Sequence, residues 1–310
     1  MSQKYRLITR SDLDGIVCAA LLKEAGMVDE ITFAHPKDMQ DGTIAVTGND
    51  IITNLPYHPN AHMVFDHHAS EAERNKTPAK NMVNDPNAPS AAAVVYKHLG
   101  GAAKFPGISK ELLDAANKID SAQLTESEIL EPHGWVLLGF IMDNRTGLGR
   151  LHQFQMSNYN LMLELVDILR KEKSIDGILA NPHVAERVKV YHEHAEMARH
   201  QIKKCASMHD KLLVIDLRSE PMIYCINRFA VYALYPAANI SMHVLPGKKN
   251  QNTVFAVGKS VLNRSAKVDV GSLMLKYGGG GHKAVGTCQI PHHDVDTVKD
   301  ELIRAIVKAG

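Results

Sequence analysis

The chain has 310 residues, of which 45% are apolar, and this size and composition suit two folded domains rather than one. Its 35 lysines and arginines nearly balance its 34 aspartates and glutamates, so the net charge does not indicate a nucleic-acid or membrane surface, and any anionic ligand must be bound by a local site. The cysteines show no C-x-x-C pairing, which argues against a thiolate zinc site and a disulfide framework: Cys18, Cys205, Cys225 and Cys288. No apolar run approaches a membrane span and the amino terminus lacks a signal-peptide core, so we expect a cytoplasmic protein.

The amino-terminal segment predicts a strand, a loop and a helix. Residues 6–9 form a short apolar run typical of a buried strand, and residues 16–26 form a small-residue helix closed by glycine. The loop between them places Asp12 and Asp14 two residues apart at the start of the helix. A helix cap needs one carboxylate, whereas two create enough negative charge to bind a hard divalent cation. This pair is therefore a candidate metal site.

A second apolar run, residues 63–65, delivers Asp66, His67 and His68 at its carboxyl end. In open α/β sheets, ligands and catalytic groups collect at the ends of strands. In an extended chain Asp66 and His68 would point to one side and His67 to the other, so a turn must follow if all three serve one site. Residues 69–74 fit that turn. The alternative is a capping aspartate followed by two solvated histidines.

Strands and helices alternate around this motif. Residues 30–34 and 49–56 supply further strand material, and residues 90–96 start a helix with a serine cap. A later helix over residues 111–118 leads into Asp120, which adds a third carboxylate at a helix end. The alternation predicts an α/β domain with its acidic groups gathered at the ends of elements.

The middle of the chain is polar and helical. Residues 142–150 form a glycine-punctuated loop with two arginines, which fits either a surface turn or a charged contribution to the same cleft. The periodicity from residue 159 to 208 is helical, and we interpret this region as a connector between domains. His192, His194 and His200 lack the spacing of a metal-binding pair on one helix face, so we expect them to be solvated.

The carboxyl-terminal third changes to strands, at residues 212–217, 240–245 and 253–258, with a turn between the last two. Four consecutive glycines at 278–281 are followed by His282 and Lys283. Such a run forfeits side chains and carries the largest entropy cost on folding. It is typical of backbone that an anion approaches closely, with amide groups and the two side chains as donors. A flexible hinge is the alternative.

The motifs occur in a recognisable order: Asp12-Leu13-Asp14-Gly15, Asp66-His67-His68, Asp120 and Gly278-Gly279-Gly280-Gly281-His282. In this order and at these approximate spacings the chain resembles, over nearly its whole length, the DHH phosphoesterase superfamily with its associated C-terminal domain. The resemblance implies an α/β fold with an N-terminal parallel-sheet DHH domain over residues 1–155. It implies a helical connector over 156–208 and a smaller α/β C-terminal domain over 209–310 that binds the substrate.

The resemblance also implies a role for each motif residue. The implied metal ligands, with Asp50 as a further candidate, all lie in the first domain: Asp12, Asp14, His67, Asp120 and Asp50. The implied catalytic residues are His68, which contacts the reacting phosphate, and Asp66, which supports or joins the ligands. The implied substrate-binding residues all lie in the second domain: Asn263, Arg264, Gly279, Gly280, Gly281 and His282.

Two positions depart from the family pattern. The family often places a ligand two or four residues before the first motif aspartate, where this chain has Arg10 and Ile8, which cannot ligate. The position of a bridging aspartate is best matched by Asn54, with Asp50 slightly upstream, and an amide lacks the charge to bridge two cations well. Either Asp50 takes that role or one metal site is weak. Asp143 is a reserve acidic ligand.

The function implied by the resemblance is that of a metal-dependent phosphoesterase acting on phosphodiester or phosphoanhydride bonds of a small nucleotidic substrate. A short oligonucleotide, phosphoadenosine phosphate or a cyclic dinucleotide would qualify. Two Mn²⁺ ions are expected, with Mg²⁺ as an alternative, because imidazole with carboxylate ligands favours Mn²⁺. An exopolyphosphatase-like hydrolase and a catalytically weakened nucleotide-binding regulator are the competing functions. Expected partners are the phosphorylated substrate or short single-stranded RNA or DNA, with no membrane, and a homodimer is allowed.

Overall fold

The structure is a computed structural model that describes residues 3–68 and 79–310. The chain divides into two compact units, the first from Met1–Gln123 with Pro132–Val190 and the second from Leu124–Glu131 with Tyr191–Gly310. The turn predicted over residues 69–74 lies outside the described residues. These limits differ from the predicted domain boundaries, because helical residues before Val190 belong to the first unit.

Five strands of the described chain form one parallel sheet in the order β2-β1-β3-β4-β5. They are β1 (Tyr5–Thr9), β2 (Val28–Phe33), β3 (Asp50–Thr53), β4 (Met63–Asp66) and β5 (Met82–Asn84). Leu7 lies in the core on one face of this sheet and Ile8 in the core on the other. A strand buried on both faces needs a continuous apolar run rather than an alternating one, which is the pattern of β1.

The described chain contains twelve α-helices. They are α1 (Leu13–Glu24), α2 (Pro36–Gln40), α3 (Ala91–His98), α4 (Lys110–Asp120), α5 (Glu126–Leu130), α6 (Gly134–Met142), α7 (Asn158–Lys171), α8 (Ile175–Leu179), α9 (Pro182–Cys205), α10 (Ala230–Leu234), α11 (Val270–Leu275) and α12 (Val295–Ala309). None of these described helices combines the length and apolar character needed to cross a bilayer.

Helix α1 is the central helix of the first unit. Cys18, Ala19 and Ala20 are fully buried, and their small side chains let α3, α4 and α7 pack closely around it. Helix α7 contributes Leu161 and Leu165 to this same core. These leucines are four residues apart, so they form an apolar stripe that must be covered by the first unit. The segment predicted as a helical connector, residues 156–208, therefore contributes part of the hydrophobic core of the first unit.

The second unit contains a six-stranded mixed sheet in the order β10-β11-β9-β8-β7-β6. Its strands are β6 (Ala206–His209), β7 (Leu212–Asp216), β8 (Ile240–Pro246), β9 (Thr253–Lys259), β10 (Gly280–His282) and β11 (Val285–Ile290). Only β7 and β8 pair in parallel among these strands. The predicted hairpin is formed by β8 and β9, whose turn places Lys249 and Asn250 in the left-handed region. The predicted α/β fold class is thus confirmed in both units.

Candidate metal and phosphate site

Four parallel strands of the first unit end at the same edge of their sheet. The register pairs Thr53 with Phe65, and Asp66 with Asn84, so the residues that follow β3, β4 and β5 lie side by side. Strand β1 lies between β2 and β3 in the sheet. The connection from β1 therefore runs to one side of the sheet and the later strands are added on the other side, which makes the gap between β1 and β3 a topological switch point. A ligand crevice forms at such a switch point, outside the carboxyl ends of the strands.

Three of the predicted metal ligands meet at this edge. Asp14 lies in the first turn of α1, His67 follows β4, and Asp120 is the last residue of α4. One ligand atom from each side chain lies within 4.8 Å of the other two. We call Asp14, His67 and Asp120 the cation cluster. Two carboxylates and one imidazole can hold a divalent cation, and this mixed donor set suits Mn²⁺.

Asp14 is held in place by the start of another helix. Its carboxylate accepts hydrogen bonds from the backbone N–H groups of Ala91, at 3.0 Å, and Ala92, at 2.7 Å, in the first turn of α3. Only 2% of Asp14 is exposed. Burial raises its pKa most strongly, the charge of Asp120 raises it further, and the pKa reaches about 7. A cation in the cluster would therefore stabilise the ionised form.

His67 presents one ring nitrogen to the cluster and uses the other as an anchor. Its Nδ1 lies 3.2 Å from the carbonyl oxygen of Ala88, a contact that fixes Nδ1 as the protonated nitrogen. Its Nε2 is 3.0 Å from Asp120 Oδ2, and the part of the chain that the structure describes gives it no aligned hydrogen bond. Burial lowers the pKa of His67, but Asp120 and Asp14 outweigh this effect and raise the pKa to about 9. A proton and a cation therefore compete for Nε2.

The pKa of Asp120 is shifted in the opposite direction to the pKa of Asp14. Burial alone would raise the pKa of Asp120, but the neighbouring His67 and His68 imidazoles hold it below the ordinary value. Asp120 therefore remains a carboxylate while Asp14 is partly protonated. This unequal sharing of protons is expected when two acidic groups lie close together beside one base.

Asp66 and His68 form a separate pair beside the cluster. Asp66 is fully buried, and its Oδ1 lies 2.7 Å from His68 Nδ1. Burial lowers the pKa of His68, but the contact with Asp66 outweighs it and raises the pKa. The imidazole side chain is 30% exposed, so it can reach a substrate, whereas the buried Asp66 can only orient it. The geometry favours a positioning role for Asp66 over direct catalysis.

Asp12 is engaged by hydrogen-bond donors and is not part of the cation cluster. Its Oδ1 accepts from the backbone of Gly15 at 3.1 Å and from Asn54 Nδ2 at 3.2 Å. Its Oδ2 lies 3.0 Å from Arg10 Nη2. Asn54 itself has a left-handed backbone conformation, and its buried Oδ1 has no hydrogen-bond partner within residues 3–68 and 79–310. The structure therefore does not group Asp12 with the other predicted metal ligands.

Asp50, which was predicted as a further ligand, lies at the other end of its strand from the cation cluster. It pairs in register with Arg6 at the beginning of β3, whereas the cluster lies past the strand's end. Its carboxylate accepts from Arg6 Nε at 2.7 Å and from the backbone of Thr47 at 2.6 Å. These donors hold the pKa of Asp50 below its usual value even though burial acts to raise it. Asp50 is a structural ion-pair residue.

The loop after α6 contributes to the crevice, which decides between the two interpretations of its sequence. Asn144 Nδ2 donates to Ser11 Oγ at 3.0 Å, and Arg145 makes a two-pronged contact with Asp143 at 2.7 and 2.9 Å. Burial lowers the pKa of Arg145, but Asp143, and further away Asp12 and Asp120, raise it overall. The Asn144–Ser11 contact joins this loop to the loop before α1. Asp143 is committed to Arg145 and is absent from the cluster.

The glycine run of the second unit forms an edge strand. Gly280 to His282 is strand β10, which is exposed and pairs with β11. A Cβ at Gly279 would lie 2.1 Å from the carbonyl oxygen of Thr287, and one at Gly281 would lie 2.2 Å from that of Val285. Gly280 has nothing within 4 Å of a Cβ position. Two of the glycines are thus explained by close packing on β11, and Gly280 is not.

Asn263 and Arg264 lie near the same end of this sheet. The backbone N–H of Lys259, the last residue of β9, donates to Ala284 in the β10–β11 turn at 2.8 Å. The loop that follows β9 therefore starts beside that turn. Within the loop the Ser260 hydroxyl accepts from the backbone of Asn263 at 2.9 Å, and Arg264 is exposed. Further along, the loop turns to the residues that precede β8, where Asn263 Nδ2 donates to the Pro236 carbonyl oxygen and Ser265 Oγ accepts from Asn239.

Several contacts of the site carry no signal in a sequence pattern. The backbone donors of Ala91 and Ala92 come from 77 and 78 residues away, and backbone groups have no identity in a motif. The pairing of Arg10 with Asp12 could have been suspected from their opposite charges and close spacing. The role of Arg145 was visible only as one of two alternatives.

Buried polar atoms in and around the cation cluster also fit a bound cation, in addition to the negative charge of the cluster. Among the described residues, Asp66 Oδ2, Asn54 Oδ1 and His67 Nε2 are buried atoms for which no hydrogen-bond partner is found. Buried polar atoms are ordinarily paired, and unpaired ones cost free energy. A cation with its coordinated waters is a suitable partner for acceptors of this type. The fit is best at His67 Nε2, which belongs to the cluster itself.

Comparison with known proteins identifies relatives along the whole chain. No protein-family model and no curated protein matches it. Among solved structures, the pGpG-specific phosphodiesterase PggH from Vibrio cholerae is 51% identical, with a TM-score of 0.84 over 99% of this chain and 100% of that chain. CDC45 from Entamoeba histolytica is 9% identical, with a TM-score of 0.54 over 98% of this chain and 95% of that chain, and shows the fold alone. The full-length match at this identity, together with the motifs assembled at the strand ends, shows that the chain belongs to the DHH phosphoesterase superfamily.

Proposed function

We propose that the chain is a cation-dependent phosphodiesterase that cleaves a linear dinucleotide of the pGpG type into two mononucleotides. Its reaction class, hydrolysis of a phosphoester bond in a small nucleotidic substrate, follows from its family membership. The observation that carries the dinucleotide is the 51% identity with a pGpG-specific enzyme over the full length of both chains. This favours a nucleotidic substrate over polyphosphate and over a purely regulatory role.

The first unit supplies the groups for the chemical step. Asp14, His67 and Asp120 would hold the cation, which we expect to be Mn²⁺. When bound, such a cation lowers the pKa of a coordinated water and neutralises charge on the phosphate. The backbone amides of α3 and the Ala88 carbonyl hold the ligands in place before the cation arrives. Prepositioned ligands bind without a reorganisation cost.

His68 is suited to the proton transfer and charge compensation of the reaction. Hydrolysis forms a bond from a water oxygen to phosphorus and breaks the bond to the ester oxygen of the leaving nucleotide, which then needs a proton. The contact with Asp66 raises the pKa of His68, which favours the protonated ring as a proton donor, and Asp66 at 2.7 Å fixes its orientation. Arg145 adds a fixed positive charge beside the same crevice. These groups stabilise the negative charge that develops on the phosphate.

The second unit would bind the substrate through the loop after β9 and through the glycine strand. Arg264 in that loop is exposed, and its guanidinium suits a phosphate, although its Nε donates to the Val261 carbonyl oxygen at 3.1 Å. Asn263 lies in the same loop, and His282 lies on β10. Gly280 has an open position at the edge strand, so a ligand can approach its backbone. We propose Asn263, Arg264, Gly280 and His282 as the substrate-binding residues, with Gly279 and Gly281 supporting the strand.

The test is a substrate panel with the purified chain and Mn²⁺. We expect pGpG to be converted to GMP, with kcat/KM at least about a hundredfold above that for phosphoadenosine phosphate, a cyclic dinucleotide and polyphosphate. Removal of the cation with EDTA should stop the reaction and added Mn²⁺ should restore it. Equal or better hydrolysis of polyphosphate or a cyclic dinucleotide would contradict the proposal. Asp120→Asn, which removes the charge of one cluster ligand, should lose the cation-dependent reaction. Asp29→Asn, which changes an exposed carboxylate on β2, is its matched control and should keep the reaction.

A further inference from the structure

We infer that this chain binds one divalent cation, not two, and that the guanidinium of Arg10 takes the place of the second. The inference rests on the proposed function and corrects the two ions expected from the family resemblance. It concerns the side of the crevice formed by Arg10, Asp12 and Asn54, which lies beside the cation cluster and outside it.

The first step concerns Asp12, the carboxylate that a second cation would need. One of its oxygens accepts hydrogen bonds from Gly15 at 3.1 Å and from Asn54 at 3.2 Å, and the other is paired with Arg10 at 3.0 Å. The Gly15 bond caps helix α1 and is part of the fold. Both carboxylate oxygens of Asp12 are therefore already paired with N–H groups. A cation would have to displace the guanidinium of Arg10 to reach Asp12.

The second step concerns the residues around Asp12. Ile8, which occupies one position where the family often has a ligand, is fully buried in an apolar cluster. Asn54 donates its amide hydrogen to Asp12, so its remaining acceptor is a neutral carbonyl oxygen. A neutral amide cannot offset two divalent charges in the way a bridging carboxylate does. Neither of the two reserve carboxylates supplies the missing negative charge, because Asp50 lies at the opposite end of β3 and Asp143 is paired with Arg145.

The third step concerns charge. Arg10 is 25% exposed and places a permanent positive charge next to the carboxylate that would hold the second cation. A guanidinium and a divalent cation on one carboxylate would repel each other at short range. The guanidinium can itself perform part of the second cation's task, because its remaining N–H groups can donate to a phosphate oxygen. The cluster of Asp14, His67 and Asp120 keeps a complete ligand set for one cation.

The inference is tested by counting bound ions on the intact chain. Equilibrium dialysis against Mn²⁺ with elemental analysis should give one ion per chain, and electron paramagnetic resonance should show an isolated Mn²⁺ signal without coupling between ions. Two ions per chain, or a coupled signal, would overturn the inference, and so would the absence of bound Mn²⁺. Hydrolysis of pGpG is measured separately. Two ions with hydrolysis would refute this inference alone, and one ion without hydrolysis would refute only the proposed function.

A pair of substitutions provides the reverse test. Arg10→Ala combined with Asn54→Asp removes the guanidinium and adds a bridging carboxylate, so this variant should bind a second Mn²⁺ and show coupled ions. The matched control combines Asn54→Asp with Arg150→Ala, which removes an exposed arginine of the same unit and should leave the count at one. A folded double variant that still binds one ion would contradict the role of Arg10. If circular dichroism shows that this variant does not fold, the number of Mn²⁺ ions bound by the parent chain decides whether the inference holds.

Discussion

The cation cluster of the first unit and the glycine strand of the second unit differ in what the chain contributes. In the cluster, Asp14 and Asp120 bring charge into a buried place, and each is held by long-range contacts. In the glycine strand, Gly280 and its neighbours bring exposed backbone without side chains. The first region depends on the identity of each side chain, and the second depends on the absence of side chains. Substitutions should therefore damage the two regions in different ways.

The largest effect is expected from removing a cluster ligand. His67→Ala and Asp120→Ala should each lower kcat/KM for pGpG by at least about a thousandfold, because they remove a cation ligand and leave an uncompensated charge. Calorimetric titration with Mn²⁺ should show no high-affinity binding, and circular dichroism should show an unchanged fold. Asp29→Ala, at an exposed position on β2, is the control. Parent-like Mn²⁺ binding by both variants would place the cation elsewhere.

The cluster shows how far the sequence predicts a site. The family resemblance implied Asp14, His67 and Asp120 as ligands, and the structure places one ligand atom of each within 4.8 Å of the other two, at a sheet edge where ends of elements meet. The position of Asp50 could not be predicted, because the length and start of β3 decide at which end of the strand a residue lies. A shift of four residues moves a side chain from one edge of the sheet to the other.

The glycine run of the second unit shows what the sequence could not predict. Its composition predicted exposed backbone near an anion, and the structure adds a reason that no pattern contains. Gly279 and Gly281 are required by the carbonyl oxygens of Thr287 and Val285, which belong to a strand that follows in the chain. Distances across a sheet depend on register, and register is a property of the folded chain rather than of a local motif. Composition alone cannot separate a binding glycine from a packing glycine.

The next largest effect separates these two kinds of glycine. Gly279→Ala should destabilise the chain by about 2–4 kcal/mol, because its Cβ would overlap the backbone of β11. Gly280→Ala meets open space and should change the free energy of unfolding by less than about 0.5 kcal/mol. Thermal or urea unfolding measures both. If Gly280→Ala nevertheless raises KM for pGpG, the substrate approaches the backbone there. Equal destabilisation by the two variants would contradict the observed register.

A smaller effect is expected at Arg264. Loss of one charge-assisted contact of roughly 1.5–3 kcal/mol should raise KM for pGpG by about tenfold to a few hundredfold in Arg264→Ala. Hydrolysis of a nitrophenyl phosphodiester, which lacks the second nucleotide, should be spared. Arg304→Ala removes another exposed arginine of the second unit and is the matched control. An equal loss on the large and the small substrate would place Arg264 in the chemical step instead.

The smallest effect concerns stability at low pH, and it tests whether the second unit behaves as an apolar scaffold rather than a charged site. His243 lies on β8 between the buried Met242 and Val244, and burial lowers its pKa to about 4, against an ordinary value near 6.5. The folded chain therefore binds this proton less readily than the unfolded chain does. The stability that neutral His243 contributes is complete above about pH 6.5 and is lost as the pH falls toward 4.

The expected loss from this histidine is about 1–2 kcal/mol at pH 5, after allowance for its partial exposure. His243→Gln should remove that part of the acid dependence, as measured by urea unfolding between pH 7 and pH 4.5. His192→Gln, which removes an exposed imidazole from α9, should leave the acid dependence unchanged. An acid dependence that is the same in the parent and His243→Gln would mean that the charged form of His243 finds solvent in the folded state. In that case β8 of the second unit would not be the apolar scaffold that we contrast with the charged cation cluster of the first unit.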